Sequence, residues 1–257
     1  MNSFILFLIG HFLADFTFQP YKLSEKKKNS ILYLVIHSLI YSALTFLVCL
    51  LFGTTLQIIL FGIIISFSHI LLDYIKIKLD KKFGNITYTF FSFIIDQFLH
   101  VIILLVLSLF LIQFNSIGHS IIVKPFMFLE SRFFWSIELN RLFRIVLAII
   151  LIGYPSSVFI KHFFNFVFRS QELKTQDTAN VCQEDINNKA GSIIGMLERL
   201  LVFILGLMGL YTSIALVLTA KSIARFKLLE DKSFAEKYLI GTLLSMLIAI
   251  LCILFCI

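Results

Sequence analysis

Residues 56–77 read LQIILFGIIISFSHILLDYIKI, an apolar run long enough to cross a hydrocarbon core that nonetheless carries a histidine and an aspartate one helical turn apart, His69 and Asp73. The length makes this stretch a transmembrane helix. The polar pair inside it asks for a functional reason.

The rest of the chain follows the same pattern. Of 257 residues 59% are apolar and 14% charged, and the mean hydropathy is +0.97. A water-soluble domain carries roughly a quarter charged residues, so this chain lacks the polar surface to cover a soluble globule. Soluble enzymes, secreted disulfide domains and disordered tails are excluded. Cys49, Cys182, Cys252 and Cys256 form no CxxC, and three of them lie in apolar stretches where cysteine behaves as a small hydrophobe. The net charge of +7 is scattered through short loops, which fits cytoplasmic loops facing anionic lipid and argues against nucleic acid.

The expected architecture is all-α, a polytopic transmembrane bundle of about seven spans, with six as the alternative count. Spans are expected at about 3–19, 30–51, 56–77 and 88–112, forming an up-down four-helix domain over residues 1–113. A connecting region, 114–190, holds an interfacial piece around Pro125 and Trp135, a fifth span over 142–168 kinked at Pro155, and a hydrophilic loop at 170–190. The C-terminal part, 191–257, holds spans at 193–218 and 238–257 around a basic segment. Gly191, Gly195, Gly206 and Gly209 suggest close helix packing there.

The first loop (Lys22, Lys26, Lys27, Lys28) and third loop (Lys76, Lys78, Lys81, Lys82) are basic, and the second has no lysine or arginine. The positive-inside rule then puts both basic loops in the cytoplasm and the N-terminus outside. The first span is not read as a signal peptide, because no basic region precedes it and its centre is polar.

An ionisable side chain inside a span costs about 2.5–3.5 kcal/mol on insertion scales. The first four spans contain three aspartates, each four residues from a histidine: His11–Asp15, His69–Asp73 and Asp96–His100. Residues at i and i+4 share a helix face. The second span adds His37, with Tyr41 at its i+4 position. Counting from the cytoplasmic boundaries, His11, His37 and His69 lie about 12–14 Å deep at 1.5 Å per residue, and Asp96 is at a similar level. Four helices thus deliver imidazoles and carboxylates to one layer.

Nitrogen and carboxylate donors suit a divalent ion, zinc by preference, with manganese or iron for an octahedral site. His11, His37, His69, Asp73 and His100 are the candidate ligands. Asp15 and Asp96 are the candidate general bases or supports for ligands, and Gln19 and Gln97 are placed to position substrate or water. The competing reading is a structural polar network that locks the bundle. In the C-terminal part, Lys221 and Arg225 share a face and form a candidate cationic pocket for an anionic lipid-like substrate. Glu198 and Glu236 are candidates for structural ion pairs with them, and Arg199, which opens the sixth span beside Glu198, is a further structural polar residue.

The runs His11-Phe-Leu-Ala-Asp15-Phe-Thr-Phe-Gln19, His37, His69-Ile-Leu-Leu-Asp73-Tyr and Asp96-Gln97-Phe-Leu-His100 resemble the family known as domain of unknown function 3307, over about residues 1–115. Gly195-Met-Leu-Glu198-Arg199, Ala220-Lys-Ser-Ile-Ala-Arg225-Phe and Ile240-Gly-Thr-Leu-Leu-Ser245 are similar to the second half of its longer members. The resemblance implies a bacterial inner-membrane protein and supplies no activity. In residue types alone the polar spans are similar to bacterial membrane-bound metal-dependent hydrolases.

Three functions follow as expectations. The first is a metal-dependent hydrolase of a lipid-like or phosphoester substrate at the cytoplasmic leaflet. The second is a proton- or cation-coupled transporter or channel using the same residues. The third is a non-catalytic scaffold. Membrane lipids are the expected partners, and a homo-oligomer is compatible with the sequence. No HExxH or other established catalytic signature is present.

Overall fold

The structure is a computed structural model and describes residues 3–19, 21–50, 56–114, 139–172 and 181–257. Among the described residues all regular structure is helical. In a hydrocarbon phase this satisfies each backbone N–H and C=O within its own segment. Five helices are long and apolar enough to cross a membrane: Ile31–Cys49, Ile59–Phe83, Thr87–Phe110, Asn140–Phe168 and Lys232–Cys256. Two shorter apolar helices, Phe4–Thr17 and Tyr211–Ala224, accompany them. Only 28–33% of each long span is buried, so most of its apolar surface faces outward. Exposed Leu39, Phe67 and Phe98 on three successive spans make an exterior suited to lipid.

The chain divides into two compact units, Met1–Leu147 and Ala148–Ile257. The first is built on α1 (Ser3–Phe12), which continues as a π-helical turn at Leu13–Thr17, a short α2 (Tyr21–Lys27), α3 (Ile31–Leu50), α4 (Leu56–Phe83) and α5 (Ile86–Phe114). Helix α1 packs on α3 and α5, α3 packs on α4, and α4 on α5, closing a ring of four helices. Their interior is polar: His11, His37, His69, Asp73, Asp96 and His100 are all buried. The expected interfacial piece with Pro125 and Trp135, and the turn at Gly53-Thr54-Thr55, lie outside the described residues.

Helix α6 (Leu139–Ile152) carries the boundary between the units. The second unit contains α7 (Tyr154–Glu172), α8 (Val181–Leu207), α9 (Tyr211–Ala224), a 3-10 turn at Phe226–Glu230 and α10 (Lys232–Cys256). Helix α8 packs on α7, α9 and α10, around a core of Val202, Ile214 and Ala249.

The sequence reading and the structure differ here in three places. The hydrophilic stretch expected to be a loop at 170–190 is helical from Val181 onward, with 173–180 outside the described residues. The span expected over 193–218 is two helices, because Gly209 takes φ 73°, a left-handed turn that glycine adopts freely and that lets Leu210 N–H reach Leu205 O at 2.9 Å. Of the four glycines read as packing contacts, Gly206 is the one pressed on a neighbouring helix, against Ile253 of α10, while Gly191 has nothing within 4 Å of a Cβ position.

The kink expected at Pro155 is a break two residues earlier, at Gly153, and its hydrogen bonds can be followed group by group. Pro155 sits in the first turn of α7, where its missing N–H is no loss to that helix. The carbonyl of Leu151, four residues back, accepts instead from the Ser156 hydroxyl. Arg199, 3% exposed on α8, closes the rest. Its Nε donates to Ile152 O at 2.9 Å, Nη2 to Ser157 Oγ at 2.8 Å and Gly153 O at 3.4 Å, and Nη1 to Ser245 Oγ at 3.2 Å. One guanidinium fork therefore holds the α6–α7 break, α8 and α10 together.

Two stability outcomes follow. Arg199→Leu leaves those four acceptors without a charged donor and is expected to cost about 3 kcal/mol or more, read as a lower thermal transition in detergent. Arg199→Lys rescues little, since one ammonium cannot reach three helices. Gly206→Ala drives a methyl into Ile253 and costs about 1–3 kcal/mol by overpacking, which Ile253→Val in the same chain relieves.

Candidate metal centre

In the first unit four helices, α1, α3, α4 and α5, each contribute one imidazole to a common layer. The His69 ring lies 5.3 Å from that of His37 and 4.5 Å from that of His100. The His11 ring stacks on His100 at 5.1 Å. The fold thus brings together His11, Asp15, His37, His69, Asp73, Asp96, Gln97 and His100, with Gln19 at the margin.

Within the layer four donor atoms converge. Nε2 of His37 and Nε2 of His69 are 3.2 Å apart. Asp15 Oδ1 lies 3.5 Å from the first and 3.3 Å from the second. Asp73 Oδ2 lies 3.4 Å from His37 Nε2 and 3.8 Å from His69 Nε2. Zinc–ligand bonds of 2.0–2.1 Å give a tetrahedron with edges of about 3.3–3.4 Å. Five separations of 3.2–3.8 Å, each between an imidazole nitrogen and another donor, lie near that figure. Two triads, His37–His69–Asp73 and His11–Asp15–His69, each keep their donor atoms within 4.8 Å of one another and could hold a metal ion.

Local structure explains how Asp15 arrives there. It lies in the π turn Leu13–Thr17, where Phe18 N–H bonds back to Leu13 O at 2.8 Å. Such turns insert a residue into a helix and re-aim its side chains, and they recur at functional sites. Gln19, buried at the end of this segment, has its amide oriented to donate to Asp15 O at 2.8 Å and accept from Lys27 Nζ at 3.0 Å.

Charge in the layer is nearly balanced. Lys27 Nζ on α2 lies 2.9 Å from Asp73 Oδ2, and Lys76 Nζ on α4 lies 2.7 Å from Asp96 Oδ2. Asp15 has only imidazole neighbours among the described ion pairs. Three carboxylates meet two ammoniums, so with neutral imidazoles one negative charge remains, and Asp15 carries it. A buried uncompensated charge costs several kcal/mol, which a cation at the four-donor corner would remove. Asp15 Oδ1, Asp96 Oδ1 and His100 Nε2 are buried with no hydrogen-bond partner, as are Nδ1 of His37 and His69.

Around these donors a second set of contacts fixes ring planes. Tyr41, 2% exposed, stacks flat on His69 with centroids 3.5 Å apart and planes within 1°. Its hydroxyl is 3.3 Å from His11 Nδ1. His100 Nδ1 donates to Asp96 O at 2.8 Å. Lys27 and Lys76 are participants that spacing alone did not single out, and Tyr41 was marked only as the i+4 neighbour of His37. Lys76 follows Asp73 by three on one helix, which was a usable signal. Lys27 reaches Asp73 only because α2 folds back over α3, and nothing local in the sequence shows that.

In the second unit, the Lys221 ammonium is engaged by Glu198 Oε2 at 2.6 Å and Thr242 Oγ1 at 3.1 Å. Arg225 lies over the Tyr238 ring at 6.0 Å, and Glu236 is exposed. Arg199 serves the helix break described above.

The stack makes a checkable difference between two Tyr41 variants. Tyr41→Phe keeps the ring on His69 and is expected to fold with a thermal transition close to that of the wild type. Tyr41→Ala removes a fully buried aromatic and is expected to cost about 3–5 kcal/mol, read by thermal denaturation in detergent.

No curated protein and no solved structure matches the chain. Residues 3–129 match the family model described as protein of unknown function (DUF3307). That match takes in all four polar spans and runs somewhat beyond the stretch over which the motifs carry the resemblance. Over this N-terminal region, just under half of the chain, the sequence is similar to the DUF3307 family.

Proposed function

We propose that the first unit binds one divalent cation inside the membrane, zinc by preference, and uses it to hydrolyse an ester or phosphoester of a lipid-like molecule at the cytoplasmic leaflet of a bacterial inner membrane, with the N-terminus outside. The observation that carries the reading is the set of five donor–donor separations among Asp15, His37, His69 and Asp73, all near the edge of a zinc tetrahedron. The unanswered charge of Asp15 gives a cation a reason to bind, and the second charge of a divalent ion would be met by Asp73 once Lys27 leaves it.

A divalent ion in such a site polarises a carbonyl or phosphoryl oxygen and acidifies water. The chain's own residues do the rest. His37 and His69 come from two packed helices with their rings tilted at 57° to one another, and Tyr41 fixes the plane of His69. Asp15, carried by the π turn and without an ammonium partner among the described ion pairs, would help hold the ion and could accept a proton. Lys27 holds Asp73 from the cytoplasmic side and competes with the ion for the same oxygen.

One observation favours the second reading, cation transport. Each of the two triads is built from protein donors, which suits binding and release of the ion itself, whereas hydrolysis needs an open coordination position. Turnover of lipid ester and phosphoester substrates by metal-loaded protein, beside zinc flux in proteoliposomes, separates the two.

The decisive measurement for the site is metal content of the detergent-purified chain by elemental mass spectrometry. Near-stoichiometric zinc is expected in the wild type and loss of it in His69→Ala and Asp73→Asn. An equal metal content in all three would overturn the reading. Lys27→Met removes the competing ammonium and is expected to tighten zinc binding by about tenfold, on the scale of one close like-charge neighbour at reduced dielectric. A competitive chelator titration reads the change.

A further inference from the structure

His11 sits beside the four donor atoms yet is bonded differently from His37 and His69. Its two ring nitrogens both have partners: Nδ1 faces the Tyr41 hydroxyl at 3.3 Å and Nε2 faces Gln97 Oε1 at 3.4 Å. The Gln97 amide has its direction set from the far side. Gln97 Nε2 lies 3.2 Å from Asp96 Oδ2, and that same oxygen receives Lys76 Nζ at 2.7 Å. A carboxylate held by an ammonium is an acceptor only, so the amide end facing it must be the NH2 group. Gln97 Oε1 is then the end presented to His11, and a carbonyl oxygen requires an N–H there.

The proton of neutral His11 is thereby fixed on Nε2, and Nδ1 carries the lone pair that accepts from Tyr41 O–H. A metal ligand needs a lone pair on the nitrogen facing the ion. His11 Nε2, the nitrogen turned toward Asp15 Oδ2 at 3.9 Å, has none to give.

We infer that His11 is not a ligand but a positioning residue, locked by the Lys76–Asp96–Gln97 chain as an N–H donor that faces the outer oxygen of Asp15 while Oδ1 faces the ion. This rests on the four-donor site proposed above. It also divides the histidines by role: His37 and His69 leave Nε2 toward the common centre, whereas His11 supports a carboxylate ligand from its own helix, four residues away across the π turn. Gln97 acts through His11, and Asp96 acts through Gln97.

Two readouts test the inference on the full-length chain in detergent. The first is zinc stoichiometry and affinity. His11→Gln retains one zinc with affinity lowered by about tenfold, the scale of a lost supporting contact, while His37→Ala and His69→Ala lose the ion. Size-exclusion elution and the thermal transition confirm that each variant is folded. The second is the nitrogen spectrum of protein labelled with 15N-histidine, assigned by the His11→Gln spectrum. His11 shows a protonated Nε2 and an unprotonated Nδ1 before and after zinc is added, while the Nε2 signals of His37 and His69 move. Gln97→Leu releases the lock, and both tautomers of His11 are then seen.

Loss of zinc in His11→Gln equal to that in His69→Ala overturns the inference, as does a zinc-dependent shift of His11 Nε2. Should His69→Ala and Asp73→Asn keep their zinc, the four-donor reading fails instead. The His11 tautomer is then decided by the nitrogen spectrum of the wild type and Gln97→Leu alone.

Discussion

A carboxylate inside an apolar helix bundle has to meet a positive charge, and the arrangement of the first unit follows from meeting that demand twice and leaving it open once. Asp96 takes Lys76 from the neighbouring helix, and Asp73 takes Lys27 from the short helix α2. Asp15 is left with imidazoles. Each pairing ties two elements together, so the polar interior sets the register of α1, α3, α4 and α5 far more sharply than their uniformly apolar faces could. Between two lipid-like surfaces the hydrophobic effect has little to choose; ion pairs and hydrogen bonds have direction.

The second unit meets an analogous demand with the opposite charge. Arg199 is buried without a carboxylate on its guanidinium, and the acceptors that satisfy it are carbonyls released by a helix break at Gly153 and Pro155. A broken helix in a membrane exposes backbone groups, and a buried arginine needs acceptors; each is tolerable because of the other. Glu198, the residue before Arg199 on α8, and Lys221 of α9 then neutralise one another.

Much of the site was legible before any coordinates. The i,i+4 spacing of His11–Asp15, His69–Asp73 and Asp96–His100 places each pair on one face, and equal depth on four helices places the faces at one level. Three things were not legible. Asp15 was read as a base or a support for ligands, and the π turn that directs its Oδ1 among the donors is a one-residue insertion that leaves no mark in hydrophobic periodicity. Lys27 looked like one more topological cation, because its contact with Asp73 depends on how α2 returns over the bundle. The difference between His11 and the other histidines lies in hydrogen-bond direction, which spacing cannot carry.

The sequence by itself determined that this is a helical membrane protein, which helices are polar inside, and which residue types share a layer, because length, hydropathy and the 3.6-residue period are local properties of the chain. The tertiary structure alone decided which atoms of those residues meet, which lysine answers which aspartate, and where the sixth expected span breaks in two. Those outcomes depend on distances between groups 30 to 86 residues apart, such as His11 with Tyr41 and with Gln97, and no local pattern encodes them.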